Sequence, residues 1–586
     1  MTVAIKPPQQ ELTDRFRDAV ARAFGAEHAE IDPLVRRSDR ADFQANLAMS
    51  LAKRVGLKNP REAAEKVLAA FDAHGLCEKL EIAGPGFINV TLSSAYLEGL
   101  LQTTARDPRF GVAKAAKPET VVVDYGSPNV AKEMHVGHLR PCVIGDCLVR
   151  VLDFAGHRVI RQNHIGDWGT PFGMLIEHLL DLGGAEKATE LSVGELDAFY
   201  KAARKKFDGD TTFAERARQR VVLLQSGDTA TLELWRTLVD ASSRYFEKVF
   251  ARLGVTMKPE DTRGESFYNP FLPEIAADLE KRGIAQIQDE ALCVFLEGFK
   301  NREGAPLPLI VRKKDGGYGY ATTDLAAVRF RSHELHGDRL LYVVGSPQAQ
   351  HFAMVFAAAR LAGYVPEGVR TEHVGFGSVL GSDRKMMKTR SGDTLRLIEL
   401  LDESRQKALE TLEKRVPDVP REAWPELAEK ISLAAIKYQD LSSDRIKDYV
   451  FDWDRMLEAE GNTGPYLQYA QARRRSLLRK LAAGEAVDAA SLRIQHDRER
   501  ALALKLVGFG EAVESVVASL EPHRLCSFLY EVASAFASFW ADPECAILKE
   551  GVPPDVRASR VALTDLTGRV LMQGMELLGI ESPERM

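Results

Sequence analysis

The chain has 586 residues, 45% of them hydrophobic and 28% charged, which suits a globular protein of several domains. No apolar run approaches a bilayer span, and Met1-Thr2-Val3-Ala4-Ile5-Lys6-Pro7-Pro8 lacks the apolar core of a secretion signal, so a cytoplasmic protein without a membrane is expected. A formal net charge of −6 excludes nucleic-acid binding by global charge, leaving local basic faces such as Arg473-Arg474-Arg475 with Arg479 and Lys480.

Residues 1–112 read as a first α+β unit. A helical stretch (Leu12–Phe24) leads to Asp42-Phe43-Gln44-Ala45-Asn46, more helix, and strand-like sequence from Lys79 to Leu92. A linker rich in Ala, Lys and Pro (Val112–Pro118) follows. The second unit, 113–440, opens with Val121-Val122-Val123 and the loop Asp124-Tyr125-Gly126-Ser127-Pro128-Asn129. An amphipathic helix (Leu139–Phe154) and a strand (His157–Arg161) come next. Strand, helix, strand begins a Rossmann-like parallel nucleotide-binding sheet. From about 176 to 307 the pattern turns helical and charged, then strand-like near Ala291–Leu296, which reads as an insertion. The sheet resumes at Leu340–Val344, and Arg370–Leu380 reads as one strand with Gly-rich edges. From Leu395 onward almost everything has helical period, and 441–586 is expected to be an α-helical bundle.

Two short segments carry the chemistry. In His135-Val136-Gly137-His138 the two imidazoles stand at i and i+3, Gly137 leaves room for a flat base, and a helix N-terminus offers N–H groups to phosphate. By itself this is as well read as two partly exposed histidines at a helix start. The second segment, Lys385-Met386-Met387-Lys388-Thr389, lies 250 residues downstream in a glycine-bracketed basic run, Gly381 to Gly392. A flexible basic loop can close over a polyphosphate, although any single basic run also reads as a solvated turn. The pair is far less ordinary than either part. The six cysteines, Cys77, Cys142, Cys147, Cys293, Cys526 and Cys545, contain no C-x-x-C pair; they read as small core residues, and no zinc or other metal ligand set is expected.

Together these residues resemble the class I aminoacyl-tRNA synthetases. His135–His138 match the family's HIGH signature with Val136 for Ile. Lys385–Thr389 match its KMSKS signature with Met387 for the central Ser and Thr389 for the last. The flanks are more discriminating: Ser127-Pro128-Asn129-Val130-Ala131-Lys132-Glu133-Met134, His164-Ile165-Gly166-Asp167-Trp168-Gly169-Thr170, Tyr320-Ala321-Thr322-Thr323-Asp324, Gln348-Ala349-Gln350-His351 and the Ser-Pro-Glu-Arg-Met ending at Met586 resemble the arginyl-tRNA synthetases.

That resemblance implies an ATP-dependent ligase joining L-arginine to tRNA(Arg) through an arginyl-adenylate, acting as a monomer, with Mg²⁺ accompanying ATP. It implies catalytic roles for His135, His138, Lys385 and Lys388. ATP contacts are implied from these four and from Lys132, Gly137, His351 and Gly375. Arginine contacts are implied from Ser127, Asn129, His138 and Gln348, with Asp124 a further candidate for the α-ammonium. Tyr320 and Asp324 are implied at the guanidinium, a planar cation that needs a carboxylate; they would share a face if a helix begins there. The first unit resembles the N-terminal domain of that family, which touches the tRNA D-loop; Phe43, Gln44 and Asn46 are RNA candidates there, or else a core ring and capping amides. The third resembles its anticodon-binding domain, with Tyr466, Arg473 and Met586 as RNA candidates. A small-molecule adenylyltransferase would share the nucleotide signature but need no flanking domains. A catalytically silent RNA-binding relative would not need all four signature side chains.

Overall fold

The computed structural model describes residues 5–184, 196–387, 394–415, 419–481 and 487–586. In the first unit, helices Pro8–Phe24, Ala48–Val55 and Pro60–Ala70 cover a four-stranded antiparallel sheet ordered Arg36–Arg37, Phe43–Ala45, Phe87–Leu92, Cys77–Ala83. The strand-like stretch is a hairpin that turns at Gly84-Pro85-Gly86. Gly86 has φ of 127°, and a Cβ there would stand 2.9 Å from that of Ala48, so glycine is required at the turn. Leu12, Phe16, Phe43, Ile88 and Val90 fill the core of this unit.

The second unit is built on a parallel sheet ordered Arg370–His373, Arg339–Tyr342, Thr120–Asp124, Arg158–Gln162. The register aligns His373, Tyr342, Asp124 and Gln162 across the carboxyl edge. Strand order reverses between Thr120–Asp124 and Arg339–Tyr342, the crevice where α/β sheets bind ligands. The chain leaves this sheet at Gln162 and rejoins at Arg339. Between them lie helices such as Pro171–Asp181, Thr211–Ser226 and Thr229–Leu253, then an antiparallel sheet of Ala285–Gln288, Ala291–Lys300 and Pro306–Arg312.

Two expectations change. The helix Leu139–Phe154 has the expected bounds but is not amphipathic: 13 of its 16 residues are buried, because the sheet covers one face and the C-terminal helices the other. Gly145 allows the close approach, since a Cβ there would stand 2.4 Å from Tyr125 Cβ. The stretch Arg370–Leu380 is two strands rather than one. Arg370–His373 ends the parallel sheet, and beyond the glycines Gly375 and Gly377 the chain turns so that Val379–Leu380 pairs with Tyr449–Val450.

The third unit is helical, with Gly464–Lys480, Asp497–Leu506, Phe509–Ser519, His523–Ala541 and Pro554–Leu577. The Thr463 hydroxyl accepts the Tyr466 N–H and Pro465 occupies the first turn, so Asn462-Thr463-Gly464-Pro465 starts a helix for local reasons. Among the described residues, no helix is long and apolar enough to cross a membrane. Five cysteines are buried and Cys77 is half-buried.

Candidate active site

The two signatures meet through their backbones. The Val136 N–H donates to the Leu395 carbonyl at 3.0 Å and the Leu397 N–H to that of Met134 at 2.8 Å, so the strand-like stretch leaving the basic loop runs antiparallel to the histidine segment. The Arg396 guanidinium reinforces the join on Glu133 at 2.7 Å. Lys385 is exposed in a tight hairpin, where the Gly381 N–H donates to its carbonyl at 2.8 Å and Leu380 bridges Met386. Lys388 and Thr389 lie outside the described residues.

The histidines start the helix as a single turn. The Gly137 N–H donates to His135 Nδ1 at 3.0 Å and the His135 N–H to His138 Nδ1 at 3.1 Å. With each Nδ1 accepting, the proton of each neutral ring sits on Nε2, so each ring keeps one N–H donor there. Burial, and after it the neighbouring His135, push the His138 pKa down to about 3. Burial and then Lys132 lower that of His135 as well. Lys132 is exposed, with its ammonium 4.6 Å from the centre of the Tyr200 ring.

The loop Ser127–Ala131 is shaped rather than free. Ser127 and Ala131 have φ of 48° and 59°, a strained region for residues with a Cβ. The strain is held by the Asn163 amide oxygen, which accepts the Ser127 N–H at 3.0 Å, and by the Ser242 hydroxyl, which accepts the Ala131 N–H at 2.9 Å. Asn129 is exposed and backbone-paired with Gly166, where a Cβ would collide with its amide oxygen. Asp124 is buried under this loop. Its Oδ2 accepts from Arg331 at 2.8 Å, and its Oδ1 accepts the Ser127 hydroxyl at 3.4 Å. The carboxylate therefore has a buried cation of its own.

Across the crevice, the helix Tyr320–His333 does begin at Tyr320, which is 76% exposed. Asp324 Oδ2 accepts from His351 Nε2 at 2.6 Å, which sets His351, expected as an ATP contact, beside the guanidinium candidates instead. Gln348 is exposed one turn before His351. The Ser346 N–H donates to the Phe376 carbonyl at 2.9 Å, which brings the Gly375 loop against the turn containing Gln348.

Sequence reasoning passed over Glu265, Arg331 and Asn163. Glu265 is half-buried behind the loop Asn163–Asp167; burial first, then the Asp167 and Asp324 carboxylates, push its pKa up to about 8. Arg331 stands seven residues after Asp324 on the same helix, the one hint that it shares that face.

The RNA candidates are scattered. Phe43 needs correcting as a stacking ring: it is fully buried in the first unit, and the Arg37 guanidinium lies 5.3 Å from its centre. A central strand position turns its ring into the core. Gln44 donates to Asn89 at 2.8 Å, and Asn46 is half-buried. Tyr466 and Met586 both pack at the margin of the main core. Arg475 reaches the Ser582 carbonyl at 3.2 Å, drawing the C-terminal end onto the helix that carries Arg473, and Arg474 pairs with Asp565 at 2.6 Å. Of the arginine triplet, these two therefore serve intramolecular contacts. Among the described residues, one group could gather a metal ion, His496, Asp542 and Cys545 in the helical unit; His496 Nδ1 accepts the Arg498 N–H at 3.1 Å as a helix cap.

A family model described as "tRNA synthetases class I (R), catalytic domain" matches residues 101–453. The N-terminal domain of arginyl-tRNA synthetases matches 10–92, and the DALR anticodon-binding domain matches 467–586. The chain belongs to the arginyl-tRNA synthetase family. It is 48% identical to the arginine–tRNA ligase of Thermobifida fusca over 579 residues, 99% of this chain and 100% of that one. It is 46% identical to that of Mannheimia succiniciproducens, covering 98% of this chain and 99% of that one. Among solved structures, the arginyl-tRNA synthetase of Plasmodium falciparum superposes with a TM-score of 0.85 at 27% identity, with all of both chains covered. That of Thermus thermophilus shares the fold at a TM-score of 0.80, covering 99% of this chain and 100% of that one at 23% identity. The signatures at the carboxyl edge of the parallel sheet thus stand in the catalytic domain of a class I synthetase.

Proposed function

We propose that this chain ligates L-arginine to tRNA(Arg) with ATP, in the cytoplasm and as a monomer. Units at 1–112, 113–440 and 441–586 serve as D-loop-binding, catalytic and anticodon-binding domains. The observation that carries this reading is the backbone pairing of Val136 with Leu395, which brings the histidine turn and the exit of the basic loop together at the crevice.

In the first step the arginine carboxylate attacks the α-phosphorus in line, releasing pyrophosphate. This chemistry needs positioning and positive electrostatics more than a protein nucleophile. The Nε2–H groups of His135 and His138 donate to the nucleotide, with Gly137 leaving room for it. Lys132, Lys385 and Lys388 supply charge to the phosphates, and Gly375 lets its loop lie close to the nucleotide. Mg²⁺ enters with ATP, held by phosphates and water more than by a protein cage. The guanidinium is received by Asp324 and Glu265, with Tyr320 as a wall; His351 orients Asp324. Ser127, Asn129, His138 and Gln348 hold the backbone end of arginine. Asp124, already paired with Arg331, acts on the α-ammonium by field and through Ser127. In the second step the terminal ribose hydroxyl of the tRNA attacks the acyl carbon of the arginyl-adenylate, breaking the acyl–phosphate bond and releasing AMP and the hydroxyl proton. Gln44, Asn46, Tyr466, Arg473 and Met586 are the RNA contacts in this reading.

The test is Lys388→Ala, assayed by ATP–pyrophosphate exchange with tRNA(Arg) present. Exchange should fall by orders of magnitude while tRNA affinity holds. Unchanged exchange removes the basic loop from the site.

A further inference from the structure

Arg140 stands two residues after His138 and is almost fully buried, as is its partner Asp440. Its Nε faces Asp440 Oδ1 at 3.4 Å, and its Nη1 donates to the Lys447 carbonyl at 3.0 Å. The guanidinium carbon lies 5.2 Å from the centre of the Tyr449 ring and 5.8 Å from that of Phe376. The Tyr449 hydroxyl donates to Asp440 Oδ2 at 3.3 Å.

The segment so gripped, 445–451, also holds the approach to the basic loop. The Gly377 N–H donates to the Arg445 carbonyl at 2.9 Å, the Ser378 N–H to Asp448 Oδ1 at 2.5 Å, and the Phe451 N–H to the Leu380 carbonyl at 2.8 Å. Arg445 Nη1 donates to the Gly375 carbonyl at 2.6 Å. Gly377 admits the segment, since a Cβ there would stand 2.6 Å from the Lys447 backbone. One segment thus touches the first turn after His138 and the backbone that delivers Lys385.

We propose that Arg140 and Asp440 are positioning residues for adenylate formation, fixing segment 445–451 so that the basic loop stands at its working distance from His135 and His138. This rests on the assignment of both signatures to ATP. A buried ion pair is weak as a source of stability, because apolar residues of similar volume often replace it without loss. What they cannot replace is the directed bond from Arg140 to the Lys447 carbonyl. Displacement of a catalytic group by ~1 Å costs about 100-fold in rate.

The experiment is the double variant Arg140→Met with Asp440→Leu, followed by thermal melting, arginine titration and ATP–pyrophosphate exchange with tRNA(Arg) present. The expected result is a folded protein with normal arginine affinity, a raised KM for ATP, and an exchange kcat lower by about 10–100-fold. A folded double variant with unchanged exchange overturns the proposal. If the double variant does not fold, Arg445→Met removes the bond to Gly375 and leaves the buried pair intact. It should raise the KM for ATP several-fold without changing arginine affinity, and an unchanged KM for ATP overturns the proposal. Lys385→Ala run in parallel separates the two readings. Full exchange in that variant fails the ATP assignment, and the tie with it. Impaired exchange there, beside a fully active folded double variant, fails the tie alone.

Discussion

The Asp324 carboxylate and the His351 imidazole meet at 2.6 Å, joining the N-terminal part of the helix Tyr320–His333 to the first turn of its neighbour Ala349–Leu361. The bond occupies one carboxylate oxygen and fixes the plane of the other. A guanidinium arriving at Asp324 therefore finds an acceptor already oriented, so less of its binding energy goes into ordering the site.

Asp324→Asn should weaken arginine binding by about 100-fold, the worth of a charged hydrogen bond of ~3 kcal/mol, while the KM for ATP stays near its original value. Calorimetric titration with arginine and exchange kinetics at varied ATP measure the two separately. An equal loss for both ligands would place Asp324 outside the arginine pocket.

Glu265 gives the site a pH dependence whose sign can be worked out. Its ordinary pKa is 4.5, and in the folded protein burial and then Asp167 and Asp324 raise it to about 8. The folded state therefore binds the extra proton between these values; the stability from this group is complete below 4.5 and is lost as pH rises through about 8. A bound guanidinium favours the carboxylate, so arginine binding at pH 7 should expel a proton, and affinity should climb with pH until about 8. Titrations in two buffers of different ionisation enthalpy count that proton. Release that persists in Glu265→Gln would assign it to another group.

The histidine turn predicts an absence of titration. Because burial holds the His138 pKa near 3, its ring stays neutral over the working range, so in the proposed role it donates through Nε2–H. His138→Asn keeps a donor on a shorter side chain and should retain more exchange activity than His138→Ala, which should lose about 100- to 1000-fold in kcat. A limb in the pH profile near 6 that vanishes in His138→Asn would show that the ring titrates after all.

How much of this was legible in the sequence follows the range of each cause. The helix Leu139–Phe154 and the parallel strands were readable because their signals are local: apolar runs, a loop, a periodic stretch. The break inside Arg370–Leu380 was not, since Gly377 makes room for the Lys447 backbone and the Gly375 carbonyl accepts from Arg445, some 70 residues away. His135 with His138, and separately Lys385, could be singled out because each of the two motifs is contiguous. Glu265 could not: its raised pKa comes from burial and from carboxylates at Asp167 and Asp324, which no spacing connects. Asp124 was legible as a carboxylate at a strand end, but its partner Arg331 lies 207 residues on.

Phe43 separates packing from recognition in the first unit. Its ring is fully buried, with Arg37 over it, so no base can stack there while the domain is folded. Phe43→Leu should cost on the order of 1 kcal/mol in stability, because an apolar side chain of near volume replaces another, and should leave tRNA(Arg) affinity unchanged. A stacked base would be worth about 1–3 kcal/mol, a loss of roughly 5- to 150-fold in tRNA affinity on removal of the ring. Thermal melting and filter binding of tRNA(Arg) read the two effects independently. A tenfold affinity loss with an unchanged melting temperature would mean that the unit opens to expose Phe43 when it meets RNA.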